Sequence, residues 1–408
     1  MSAVDLHYPL SVEMNSKERS RNLTADIRAA SRQQPTDISF QQASQLISSY
    51  LQWFYPHAPF VDEHLLHTRY LRAAMQSGFA QNMESCLVVM VFALGALATQ
   101  SDISTTRKEA DIDLHTGSRA YDMAEGLIHH AERVFAAHSG YDWLSVQCLL
   151  LMAQYHSARF EIMDHWKAVN QACTTTMLLL KSQDVLDPLH TQLYWGSYMS
   201  ESQLLAEFDL PASGISSLEN SVALPYFDSS LKENCGQDHQ FAFLAQIALR
   251  RLLNRVHRHL YKVRRNIPAG ENLTDGESSD IAKRFASQAT NMLLELDRQL
   301  VTWRESLPAA LYFTDQEAQS LEVGTHSLDS VQQRLVASLK GRYCGAKAII
   351  HRPILYKLLH AEENECFASS DVEVARQSLQ MALAIALHSG VLRAPLHLLP
   401  HPVNPCRR

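Results

Sequence analysis

"CLVVMVFALGALA", residues 86–98, is the longest apolar run in this chain of 408 residues. A helix rises about 1.5 Å per residue, so this run falls well short of the roughly 30 Å apolar slab of a bilayer. It reads instead as a helix enclosed by other parts of a folded protein. The spacing predicts a helical segment over 83–100, and the remaining sequence has to supply its cover.

Working toward the N-terminus, Ser39 and Gln42 make a capping box. Phe40, Ala43, Leu46, Ile47, Tyr50, Leu51 and Phe54 follow at helical spacing, and Pro56 and Pro59 close that segment. Further helices are expected over 62–77, 117–138, 143–158, 161–181, 188–208, 237–266, 279–306, 328–361 and 371–392. The breaks between them carry Gly, Pro, Asp and Ser, and no sustained period-2 alternation occurs. The expected class is therefore all-α, with many helices packed in layers and joined by long loops. The expected organisation is a flexible polar arm over 1–36, an all-α domain over 37–392 with a hinge at 267–280, and an irregular Pro-rich tail over 393–408.

Apolar residues make up 46% of the chain and charged residues 19%, as in an ordinary folded protein. The net charge is −7, whereas a chain that binds nucleic acid as a whole is usually basic. DNA contact is expected to be indirect or weak. The opening "MSAVDLHYPL" has no basic region followed by an apolar one, so no secretory leader is read there. The seven cysteines, at 86, 148, 173, 235, 344, 366 and 406, are scattered and form no C-x-x-C. They are expected to be reduced thiols of a soluble intracellular protein with no membrane partner.

Motifs with strict geometry are missing: no phosphate-binding G-x-x-x-x-G-K-[ST], no G-x-G-x-x-G, no G-x-S-x-G and no H-E-x-x-H. His64 and His67 sit three apart, with His57 nearby, but a zinc site needs three or four ligands and the expected role is that of surface histidines. No catalytic residue, metal ligand or cofactor is expected in this chain, which is read as a non-enzyme.

Two polar features need a reading. In "LYWGSYMSESQLLAEFDLP", 193–211, Tyr194, Tyr198, Leu205 and Phe208 line one helical stripe, and Glu201 falls in its middle. A lone buried carboxylate is costly, so a structural pair with Arg251, Arg352 or Arg159 is expected, with contact to a ligand as the alternative. Trp166, Trp195 and Trp303 are core residues or the lining of a small-molecule pocket. In 241–265, Arg251, Arg255, Arg258, Lys262 and Arg265 form a basic stripe opposite Leu249, Leu253, Val256, Leu260 and Val263. That stripe is a solvated face or a surface for phosphates or acidic partners.

Several stretches resemble the regulatory middle homology domain of fungal zinc-binuclear-cluster transcription factors. "YLQWFYPHAPFVD", 50–62, resembles its opening helix and Pro-containing turn, and "VVMVFALGALAT", 88–99, its apolar helix. "SVQCLLLMAQYHSARFEIMDHWKAVNQAC", 145–173, is similar to its helix pair, with Trp166 on the second helix. Residues 193–211 together with "ALPYF", 223–227, resemble a "W…D/E…P…LP" block. "FLAQIALRRLLNRVHRHLY" (243–261), "LDRQLVTWRESLPAALYF" (296–313) and "LKGRYCGAKAIIHRPILYKLLH" (339–360) follow in the same order as in one subgroup. The family's six-cysteine zinc cluster has no counterpart among the scattered cysteines, and zinc would enter only with such a cluster. The resemblance implies a nuclear, non-DNA-reading regulatory domain that works through protein contacts, as a homodimer or with a DNA-binding co-regulator, and that senses an effector. A helical scaffold outside transcription is the alternative, and an all-α enzyme a more distant one.

Overall fold

A computed structural model describes residues 35–106, 114–138, 140–183, 185–226, 237–257, 291–319, 330–359 and 369–391. All regular elements among them are helical, and no strand occurs there, so the all-α reading holds. The chain divides into two compact units, one within Met1–Lys232 and one within Glu233–Arg393. The expected hinge at 267–280, the arm up to residue 34 and the tail from 393 lie outside the described residues.

In the first unit, helix α1 (Phe40–Trp53) starts at the expected capping box. The Ser39 hydroxyl accepts from the Gln42 amide at 3.3 Å, and the Ser39 amide donates to the Gln42 side chain at 3.0 Å. Helix α2 is built from Glu63–Leu65, a π-helical turn Leu66–Tyr70, and Leu71–Gln76. Its first turn is capped by Asp62, which accepts from the Leu65 amide at 2.8 Å.

Helix α3 (Met83–Thr106) contains the quoted apolar run, and every residue from Ser85 to Ala98 is buried. Four elements cover it: α1, α2, α4 (Leu114–Ala137) and α5 (Trp143–Ala158). A helix covered on all sides has no solvent face, so nothing selects for polar residues on any side of it. Helix α5 shares this character, with Ser145 to His156 buried without interruption, and its N-terminus is capped by Asp142, which accepts from the Ser145 amide at 2.6 Å. Helices α6 (Ile162–Ser182) and α7 (Pro188–Glu207) pack on α5 and on each other, adding the next layer. These bounds lie within one residue of the expected 161–181 and 188–208.

The approach of α1 to α3 is set by a glycine. A methyl group added at Gly95 would sit 2.0 Å from the carbonyl oxygen of Leu46 and 2.7 Å from its carbonyl carbon. Backbone cannot yield as a flexible side-chain end can. The same helices are tied by Thr99, whose hydroxyl donates to the Gly95 carbonyl at 2.9 Å and reaches Ser49 Oγ at 3.4 Å.

The second unit holds α8 (Gln237–Val256), α9 (291–305), the short α10 (Asp315–Gln319), α11 (Val331–Leu359) and α12 (Ser369–Val391). Its core joins Leu249, Leu253 and Val256 of α8 to Leu300 and Trp303 of α9 and Leu339 and Tyr343 of α11. Trp303 stacks on Tyr343 with ring centroids 6.4 Å apart, and its indole N–H donates to the Ala245 carbonyl at 2.9 Å.

Replacing Gly95 with Ala is expected to lower stability by about 3 kcal/mol, the upper range for overpacking a dense core. Chemical denaturation of both proteins checks this; an unchanged midpoint would mean that α1 and α3 separate freely.

Candidate functional site

The buried face of α7 carries Tyr194, Trp195, Tyr198, Glu201 and Leu204. Leu204 takes the place expected of Leu205, which is half-buried, as is Phe208. This face holds the segment that returns after the helix. Glu201, only 4% exposed, accepts from the Ser213 amide at 2.6 Å through Oε1. Tyr198 donates its hydroxyl to Glu219 at 2.9 Å, Tyr194 reaches the Ile215 carbonyl at 3.5 Å, and the Trp195 indole donates to the Ala223 carbonyl at 2.8 Å. From α6, Trp166 donates to the Pro211 carbonyl at 3.3 Å. Gly196 makes room for Phe60, whose Cε1 would lie 2.3 Å from an added methyl group.

Glu201 thus has a backbone partner for its carboxylate, where a side-chain partner was expected. The Cys173 thiol, bonded to the Ser197 carbonyl at 3.5 Å, is pushed up by burial and then by the Glu201 charge. Arg251 and Arg352 are half-buried residues of the second unit. Arg159 belongs to the first unit, where its guanidinium lies 3.9 Å from the ring centroid of Tyr121 and its Nε 3.5 Å from Glu161 Oε1. Trp195 is fully buried and Trp303 nearly so, each with its N–H on a backbone carbonyl, as core residues.

A second polar cluster escaped the sequence. His156, on the last turn of α5, has Nδ1 2.7 Å from Glu161 and Nε2 3.2 Å from Glu132 of α4. Two carboxylate acceptors call for two donors, so the ring is an imidazolium. Burial lowers the affinity of His156 for a proton, but the bonds to Glu132 and Glu161 outweigh it and hold the group at about 9. Glu132 is held at about 2: burial acts upward, and the bonds to His129 and His156 prevail. The turn that brings Glu161 back is a helix end with Phe160 in the left-handed region, at φ 56°, where glycine is usual. There the Glu161 amide donates to the His156 carbonyl at 2.9 Å and the Phe160 amide to the Ser157 carbonyl at 3.0 Å. Asp164 lies close enough that it, His156 and Glu161 form a metal-sized group, and Asp164 also lies 3.2 Å from Lys167 Nζ. His64 and His67 are exposed, as expected, whereas His57 is buried.

In the second unit, Asp315 accepts from Tyr343 at 2.6 Å and pairs with Arg304 at 2.6 Å, and His351 pairs with Asp297 at 3.0 Å. On the basic stripe, Arg251 is half-buried and Arg255 exposed, while Leu249, Leu253 and Val256 opposite are buried. Arg258, Lys262 and Arg265 lie outside the described residues.

The family model of the fungal specific transcription factor domain matches residues 47–305, well over half of the chain. The chain belongs to this family. No curated protein and no solved structure matches it. As a fungal transcription factor domain it takes part in transcription regulation, and the family is one of regulators and not of enzymes. The resemblance drawn from the "W…D/E…P…LP" block now has a physical content. In this fungal transcription factor domain Trp195 and Glu201 are two of the groups by which α7 grips the segment 211–223. The four cysteines among the described residues, 86, 148, 173 and 344, are buried free thiols of the helical cores. No helix among the described residues is long and apolar enough to cross a membrane.

Replacing Glu201 with Leu strands the Ser213 amide and is expected to cost about 1–3 kcal/mol, the desolvation penalty of an unpaired buried donor. Replacement with Gln keeps an acceptor oxygen and should cost less. Thermal melts of the two variants check the order; equal melting of both with the parent would remove Glu201 from any bracing role.

The His156 cluster implies a pH dependence. Its proton affinity is raised on folding, from an ordinary 6.5 to about 9, so its contribution is complete below pH 6.5 and fades as the pH rises to 9. Glu132 is lowered, from 4.5 to about 2, so its contribution is complete above pH 4.5 and fades toward 2. The melting difference between the parent and His156→Gln should be largest between about pH 4.5 and 6.5 and shrink toward pH 9.

Proposed function

We propose that this chain is the regulatory, non-DNA-reading part of a fungal-type transcription regulator, working in the nucleus through protein contacts. Membership of the fungal transcription factor domain family, over 47–305, carries this reading. The scattered cysteines and net charge of −7 support contact with DNA through a partner over direct readout.

The second unit offers a surface suited to such a partner. On α12, Val372, Leu379 and Leu383 are 52%, 53% and 55% exposed. Their spacing of seven and then four residues puts them on one side of the helix, and exposed apolar stripes of this kind mark protein contacts. A second copy of the chain and a DNA-binding co-regulator are the partner classes this reading admits.

The test is a tagged full-length chain expressed in a fungal host, with imaging and cross-linked recovery of promoter DNA. Nuclear enrichment and promoter recovery are expected. A Leu379→Asp, Leu383→Asp double variant should keep the parent's melting temperature and lose most of that recovery. A pool confined to the cytosol would overturn the reading in favour of a scaffold outside transcription.

A further inference from the structure

Three side chains converge where α5 hands over to α6. His156 stands on the last turn of α5, Glu161 at the N-cap of α6 and Asp164 in its first turn. One donor atom of each, a ring nitrogen and two carboxylate oxygens, lies within 4.8 Å of the other two. Neighbouring ligands of a tetrahedral zinc ion are roughly 3.4 Å apart, as follows from bonds of about 2.0–2.2 Å. The left-handed Phe160 allows this convergence, because it turns the chain so that α6 starts against the end of α5. Glu161 and Asp164, three positions apart, fall on the same side of the new helix.

The ring is also oriented as a metal-binding imidazole is. His156 is 5% exposed; its Nδ1 faces Glu161 Oε2 at 2.7 Å, and its Nε2 lies 3.2 Å from Glu132 Oε1. A histidine that holds an ion through one nitrogen commonly donates its other N–H to a carboxylate, which fixes the ring and raises its basicity. Glu132 fills that place and is itself held by His129 at 3.0 Å. The cations beside the two ligand carboxylates compete weakly with an ion. Arg159 meets Glu161 through Oε1 and not Oε2, and the Lys167 side chain, which meets Asp164, is 62% exposed, so moving it costs little. The positions 156, 161 and 164 straddle a helix end and match none of the motifs sought in the sequence.

We propose that His156, Glu161 and Asp164 bind one divalent first-row transition ion, with zinc as its type, through His156 Nδ1 and one oxygen of each carboxylate, water completing the shell. In the ion-free chain both ring nitrogens carry protons. The ion takes the place of the Nδ1 proton, which passes to solvent, and the Nε2 proton stays on the bond to Glu132. One imidazole with two carboxylates suits zinc, whereas magnesium and calcium take oxygen ligands. The bound ion ties the end of α5 to the start of α6. The site stands on the geometry of the first unit and is independent of the transcriptional reading; binding to the purified chain tests the one, and localisation tests the other.

The experiment is a thermal melt of the purified, chelator-stripped full chain with zinc, magnesium or calcium chloride, each at matched ionic strength. Zinc is expected to raise Tm by about 3–6 °C at ten times its Kd, and magnesium and calcium at the same concentration to leave it unchanged. Asp164→Asn keeps the His156 bonds to Glu132 and Glu161, so it should melt close to the parent in chelator and lose most of the zinc shift. Lys167→Ala removes a competing cation and should keep the zinc shift or enlarge it. Cobalt(II) should give visible absorption bands that zinc abolishes in the parent and that are missing in Asp164→Asn. No shift with zinc, an equal shift in Asp164→Asn, an equal shift with magnesium, or a smaller shift in Lys167→Ala would each overturn the assignment.

Discussion

The enclosure of α3 is the constraint on which the first unit depends. An all-round apolar helix can exist in water only if other elements close every side of it, and α1, α2, α4 and α5 do so. Closure demands close approach, and at Gly95 the Leu46 backbone leaves no room for a side chain. Because α5 is almost as completely buried, it needs its own cover, which α6 and α7 provide. The layering of the unit therefore follows from two helices that have no solvent face.

Several polar groups inside these cores are closed off by bonds within the protein. In the first unit these include Glu201 on the Ser213 amide, Trp195 on the Ala223 carbonyl and His156 between two carboxylates. Each bond crosses from a helix to another segment, so it removes a desolvation penalty and also fixes where that segment lies. In the second unit, Asp315 and Asp297 play the same part for Arg304 and His351.

The family assignment and the physical account bear on different questions. The match over 47–305 says what kind of protein this is, while the packing says what particular residues do in this chain. Trp195 and Glu201, read from the sequence as parts of a signature, turn out to be the residues that hold the segment after α7. Their chemistry is that of architecture: an indole N–H and a carboxylate, each meeting a backbone group.

What the amino-acid order determined alone is mostly local. The capping box at Ser39 and Gln42, the ends of α5 at Trp143 and Ala158, and the burial of residues 86–98 all follow from short-range propensity and from hydrophobic run length. That Glu201 would be buried was also legible, because helical period places it on the stripe of Tyr194 and Tyr198, although the apolar residue that follows it there is Leu204 and not the expected Leu205. Its partner was not, since a backbone amide at Ser213 carries no mark in the side-chain alphabet. Nor could order alone pair His156 with Glu132, 24 positions away on another helix, or Asp297 of α9 with His351 of α11. Those meetings are decided by which helices pack together and at what rotation, and that depends on the whole core filling its volume at once.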